Sequence, residues 1–118
     1  MIEIKFNNKK VEKLFDGFKY SKMLNKIGPD LTRNIKKRIE QISASSSFYA
    51  YLDTKLGKPE RLSGKDSNEY SIHITANYRL IVEPITKGFE KDDLLNCDSV
   101  YVKGVVDYHG DKENWIFP

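Results

Sequence analysis

The residues of this 118-residue chain best suited to chemistry gather in its second half. Asp107-Tyr108-His109 closes an apolar, alternating run, and Arg79 follows Tyr78 in another. His73 lies six residues before Arg79, and Arg61 and Lys65 bracket Leu62-Ser63-Gly64. Together these residues supply fixed cations and an acid/base pair. Histidine changes charge near neutral pH, and the guanidinium fork fits a carboxylate or a phosphate at two points. Each residue also has a plain structural role open to it. Arg79 could pair with Glu83 or Glu69, and Lys65 could be a turn charge. Tyr108 shares the parity of Val102 and Val106 and could be a core aromatic, and His109 could be an exposed strand end. No Gly-rich phosphate loop, metal-ligand motif or nucleophile elbow is present. With two histidines and one cysteine, Cys97, neither a metal nor another cofactor is expected.

Positioning these groups falls to elements that the apolar pattern predicts. Ile2-Glu3-Ile4-Lys5-Phe6 alternates like a half-buried strand. Asn7 or Asn8 can cap the helix that follows. Val11, Leu14, Phe15 and Phe18 recur at helical spacing, and Tyr20, Met23, Leu24 and Ile27 extend the same helix, with Gly17 as a weak point. Gly28-Pro29 stops it and opens a second helix, with Leu31, Ile35, Ile39 and Ile42 as its buried stripe and the serine-rich run at 43–47 as its end. The period then changes to two. Residues 69–75 alternate with Tyr70, Ile72 and Ile74 on one side, Ala76-Asn77 forms a tight turn, and residues 78–83 make the next strand, which Pro84 limits or places at an edge. Residues 87–96 read as a polar, acidic hairpin loop holding an inert Cys97 just after it, and residues 100–109 as a third strand. The predicted order is β-α-α-β-β-β: an α+β fold in which an antiparallel meander carries a helical hairpin on one face and leaves the other partly open. By alternation Tyr78, Leu80 and Val82 face the helices and Arg79 the open side. His73 joins Arg79 there only if the hairpin register allows it.

Length and composition set the class. One domain spanning residues 1–118 is expected, large enough to fold without a disulfide or a metal. The aromatic content of 12% and the low net charge of +3 argue against a disordered chain. No apolar run approaches the length of a membrane helix, and the first ten residues hold no apolar signal core, so a cytoplasmic address is expected. The charge is unevenly spread: residues 1–61 carry a net +7 and residues 62–118 a net −4. Lys9, Lys10, Lys13, Arg33, Lys36 and Lys37 lie in the basic half, on the predicted helices. Such a surface attracts polyanions by counterion release, and it is also what an ordinary solvated helix face looks like.

The stretch RLSGKDSNEYSIHITANYRLIVEP at residues 61–84, followed by VVDYHG at 105–110, resembles the HigB toxins of the RelE/ParE superfamily. Their pattern is Leu, a spacer and Gly, then Tyr-Ser-Ile, an aromatic-Arg pair on the next strand, and a closing Asp-Tyr-His. The element order agrees as well, so the resemblance covers nearly the whole chain. The departures are greater length, the acidic insert at 87–96 and a tail at 111–118. The resemblance implies a bacterial type II toxin: a ribosome-dependent mRNA interferase that cuts messenger RNA in the ribosomal A site. It further implies a HigA-like helix-turn-helix antitoxin that neutralises the toxin and binds the operator DNA. RNA can be cut without metal when its 2′-OH attacks the adjacent phosphorus, which requires a base, cations for the phosphorane charge and an acid for the leaving 5′ oxygen. On that reading His109 is the first proton carrier and Tyr108 shares acid/base work or stacks on a base. Arg79 clamps the phosphate, Asp107 orients His109, and Arg61 and Lys65 add positive field. His73 ranks below His109 for contact with substrate, and the basic helices bind ribosomal RNA. Two other readings stay open: a ParE-like protein that poisons DNA gyrase without nuclease activity, and a non-catalytic RNA- or ribosome-binding module.

Overall fold

Strand pairing determines which residues share a surface, and one irregularity in it decides the site. The structure is a computed structural model. It describes residues 1–15, 20–62, 68–109 and 112–117; of His109, Lys112, Glu113 and Phe117 it describes the backbone. The strands are β1 (Glu3–Lys5), β2 (Glu60–Arg61), β3 (Tyr70–His73), β4 (Tyr78–Pro84), β5 (Ser99–His109) and β6 (Lys112–Phe117). The helices are α1 (Lys9–Leu14), α2 (Ser21–Ile27), α3 (Pro29–Ala44), α4 (Phe48–Thr54) and α5 (Lys91–Leu95). The fold is α+β. The sheet runs β1-β5-β4-β3-β2, with β6 also paired to β5. β3, β4 and β5 form the antiparallel meander, and β1 joins β5 in parallel.

Local chemistry explains the helix boundaries. Asn8 Oδ1 accepts hydrogen bonds from the backbone N–H groups of Lys10 (2.9 Å) and Val11 (3.3 Å), capping α1. α1 ends at Leu14, and α2 starts only after Tyr20, whose φ of 53° lies in the left-handed region. The single long helix expected over this stretch is therefore two short ones. Gly17, Phe18 and Lys19 lie outside the described residues. Gly28, at φ 87°, turns the chain into α3, with Pro29 in its first turn where a missing N–H is harmless. Ile35, Ile39 and Ile42 are buried as expected, whereas Leu24 of α2 is exposed.

Two helices form where the expected element order has none. Ser47 Oγ accepts from Ala50 N at 3.1 Å and caps α4, whose Phe48 and Tyr51 are fully buried. The insert at 87–96 holds α5, closed by a capping box between Glu90 and Asp93. Leu94 and Cys97 are buried there, and Phe89 stacks on Tyr70. Burial pushes the Cys97 thiol upward, away from the reactive thiolate. Pro84 ends β4, an inner strand, so it limits the strand rather than marking an edge.

The helix-facing side of the sheet is a continuous apolar layer that includes Tyr70, Ile72, Leu80, Val82, Val100, Val102 and Val105. Between β4 and β5 the register slips: Ile81 pairs with Gly104 and Val82 with Val102, leaving Lys103 as an extra residue. This bulge resets the alternation of β5. Val102 and Val105 therefore face the helices together, while Val106 and Tyr108 turn to the opposite side. The parity that made Tyr108 a candidate core aromatic fails here.

Candidate active site

The face away from the helices brings together residues from four strands. His73 pairs directly with Arg79, Arg79 with Val106, and Val106 with Trp115. Directly opposed residues of antiparallel strands point to the same side. The register therefore places His73 beside Arg79, the condition the sequence left open. Ile81 and Val106 are fully buried on this face, so it has a small apolar floor of its own.

Arg79 is held in place by the turn at its strand's start. Its Nη1 donates to the carbonyl oxygens of Ala76 (2.7 Å), Thr75 (3.0 Å) and Tyr78 (3.2 Å). Its guanidinium carbon lies 5.5 Å from the centre of the Tyr108 ring. Glu83, one of the two carboxylates open to Arg79 as a structural partner, is instead 3.9 Å from Lys103 Nζ through its Oε1. Anchoring one nitrogen to a turn fixes the plane of the guanidinium while its other edge can still donate.

His73 sits among cations. Burial, then the charges of Arg79 and Lys58, hold its imidazole below the ordinary value of 6.5, and Glu60 pulls the other way. Its backbone is fixed from both sides: its N–H donates to Gly57 O at 2.6 Å, and its carbonyl accepts from Arg38 Nε at 2.8 Å. Arg38 is in turn set by Gln41, whose Oε1 accepts from Nη1 at 2.7 Å. A histidine that is neutral near pH 7 and placed beside a fixed guanidinium can accept a proton next to an anion.

Other candidates separate from this group. Arg61 pairs with Tyr70 and so belongs to the helix side, where its guanidinium carbon stands 3.7 Å from the centre of the Phe89 ring. Its neighbour Glu60, opposite Ser71, is the β2 residue on the face of His73 and Arg79. Asp107 pairs with Tyr78 and therefore faces away from Tyr108. His109 ends β5 opposite Lys112, and its side chain lies outside the described residues, as does Lys65. Lys9, Lys10 and Lys13 are exposed on α1, and Arg33, Lys36 and Lys37 on α3, in the layer across the sheet from Arg79. Arg33 lies 3.5 Å from Asp30, and the Lys36 ammonium lies 5.7 Å from the Tyr20 ring centre.

Lys58, Glu60 and Trp115 join the face without any expectation from sequence. A two-residue strand has no period to read, so Glu60 gave no signal. The tail did carry one, since Trp115-Ile116-Phe117 is rich in strand-forming side chains. Among the described residues, no three histidine, cysteine or carboxylate side chains converge as a metal site requires. A concavity of about 690 Å³ lies elsewhere, between β1, α1 and α3, and is lined by Ile2, Phe15 and Ile39 among others.

No known protein family profile matches the chain, and no curated protein matches it. Among solved structures it is similar to a chain of the YoeB-YefM complex from Staphylococcus aureus, with a TM-score of 0.54 and 16% identity over 92% of this chain and 98% of that one. At that identity the likeness shows the fold. No described helix is long and apolar enough to cross a membrane.

Proposed function

We propose that this chain is the toxin of a type II toxin–antitoxin pair and that its open sheet face cuts messenger RNA on the ribosome. The observation that carries the reading is Arg79, fixed by the 75–78 turn, with Tyr108 and a depressed-pKa His73 beside it on one face. The HigB-like motifs supply the same residues in sequence. The fold shared with a chain of a two-protein complex agrees with a neutralising partner, here a HigA-like helix-turn-helix antitoxin that also brings the pair to operator DNA.

In the proposed reaction a 2′-oxygen attacks the adjacent phosphorus and the bond to the 5′ oxygen breaks, leaving a cyclic phosphate and a 5′-hydroxyl. His73 takes the 2′-OH proton and Tyr108, on the same face, returns a proton to the 5′ oxygen, with His109 at the end of β5 as the second candidate for that return. Arg79 stabilises the charge that builds on the phosphorane oxygens. Tyr108 shares the acid/base work or packs on a base, Lys65 and Lys58 add field, and Glu60 tunes His73. Arg61 and Asp107, paired with Tyr70 and Tyr78 on the helix side, take supporting roles in this reading. The exposed lysines and arginines of α1 and α3 engage ribosomal RNA, which localises the protein to the translating ribosome in the cytoplasm.

Mapping message ends in a translating extract, beside naked RNA and a gyrase supercoiling assay, tests the reading. Translated messages should be cut, naked RNA barely, and supercoiling left alone. Arg79→Ala should abolish cutting and Arg79→Lys should keep part of it, because lysine retains the charge but not the fork. Arg79→Ala should also lower stability by about 1–2 kcal/mol through the lost turn bonds. A fully active Arg79→Ala protein would remove Arg79 from the site. Gyrase inhibition without message cleavage would replace the nuclease reading with the ParE-like one.

A further inference from the structure

β6 changes what the open face can hold. It pairs with the second half of β5, so Trp115 stands opposite Val106 and His73, Arg79, Val106 and Trp115 form one row across four strands. Adjacent strands are about 4.8 Å apart, so Trp115 lies two strands, roughly 10 Å, from Arg79 on the same face. Tyr108, two residues along β5 from Val106, stands between the two, with its ring by the Arg79 guanidinium. Trp115 is 45% exposed, although its cross-strand neighbour Val106 is fully buried. An indole with one part set against the sheet and another open to solvent, in line with a fixed cation, has the makeup of a single-strand platform. There the aromatic takes a base and the cation takes the backbone.

We propose that Trp115 is a base-stacking residue of the RNA site, receiving a nucleobase of the strand whose phosphate lies at Arg79. This rests on the RNA-cleaving reading above. Stacking is tolerant of base identity because every base offers a π-face, so Trp115 would strengthen the hold on a message without dictating its sequence.

The chain contains one tryptophan, so its emission reports this position alone. The probe is a short single-stranded RNA with 2′-O-methyl groups, which bind but cannot attack. Saturating probe should quench the emission, and inorganic phosphate at the same concentration should not. By anisotropy of a labelled probe, Trp115→Ala should bind roughly 5- to 150-fold more weakly, the range that base–aromatic stacking spans. Trp115→Phe should recover part of that loss. Message cleavage in a translating extract should fall in Trp115→Ala and recover in Trp115→Phe, with both variants melting as folded proteins. Unchanged emission at saturation, or a Trp115→Ala protein that binds probe and cuts messages like the parent, would overturn the inference. A variant impaired only in antitoxin binding would overturn it too, assigning Trp115 to the protein partner. Should Trp115→Ala fail to fold, the quenching and Trp115→Phe decide. If the parent cuts no message but its emission is quenched by the probe, the toxin reading falls and the stacking site stands. If messages are cut while Trp115→Ala changes nothing, the reverse holds.

Discussion

The two faces of the central sheet are built from the same strands and bury very different groups. On the helix side, Tyr70, Ile72, Leu80, Val82 and Val102 meet Ile35, Ile39, Ile42 and Phe48 in one apolar cluster. On the other side, Ile81 and Val106 form a small buried floor, and His73, Arg79, Tyr108 and Trp115 stand around it. The first face holds the chain together, because burial of apolar surface is the dominant favourable term in folding. The second spends little apolar area and concentrates positive charge beside a titrating imidazole. On the proposed function, stability and chemistry are divided by a sheet one residue thick, and the bulge at Lys103 decides which residues of β5 go to which side.

Phe48→Ala should draw that division most sharply. Phe48 is fully buried, with its ring edge-on to Tyr70 at 5.0 Å between centres. Its loss should cost about 3–5 kcal/mol in urea unfolding. Any loss of message cleavage should then disappear at a temperature low enough to keep the variant folded. A variant that is folded yet inactive would break the separation of the two faces.

Gly104→Val probes the point where the faces exchange residues. Gly104 has φ 149°, a backbone state that a β-branched side chain rarely adopts. The expected strain is about 1–3 kcal/mol. Because the bulge also turns Val106 and Tyr108 outward, cleavage should fall even where the variant remains folded. A melting temperature equal to the parent's would show that β5 can be re-registered freely.

The smallest effect expected is a pH dependence from His73. Its folded value lies below 6.5, so the unfolded chain takes up the proton first as pH falls. The stability tied to neutral His73 is complete above about pH 6.5 and is lost as pH drops through the unfolded value toward the folded one. Melting curves of the parent and His73→Gln between pH 5 and 8 should show a shallower acid slope for the variant. Identical slopes would mean that the surrounding Arg79, Lys58, Arg38 and Glu60 leave His73 unperturbed.

Much of this was legible from residue order. Helical spacing in Ile35, Ile39 and Ile42, Pro29 after Gly28, and strict alternation at Tyr70, Ile72 and Ile74 each follow from local geometry, so they identified α3 and β3 correctly. The same alternation placed Arg79 on the face opposite Leu80. What local periodicity could not supply was anything that depends on a partner strand. The His73–Arg79 pairing is a register, the outward turn of Tyr108 comes from one extra residue opposite Ile81 and Val82, and the positions of Arg61 and Asp107 follow from their pairing with Tyr70 and Tyr78. The acidic insert looked like a loop because its apolar residues, Phe89, Leu94 and Leu95, are too few to show a period, yet Leu94 packs into the core from α5 and Phe89 packs against it from just before that helix. The sequence by itself determined which side chains were available for chemistry and where its strongly periodic segments, such as α3, β3 and β4, would form, since both are properties of neighbouring residues. Only the tertiary structure decided which of those side chains meet, because pairing, bulge and the docking of β6 are set by contacts between residues far apart in the chain.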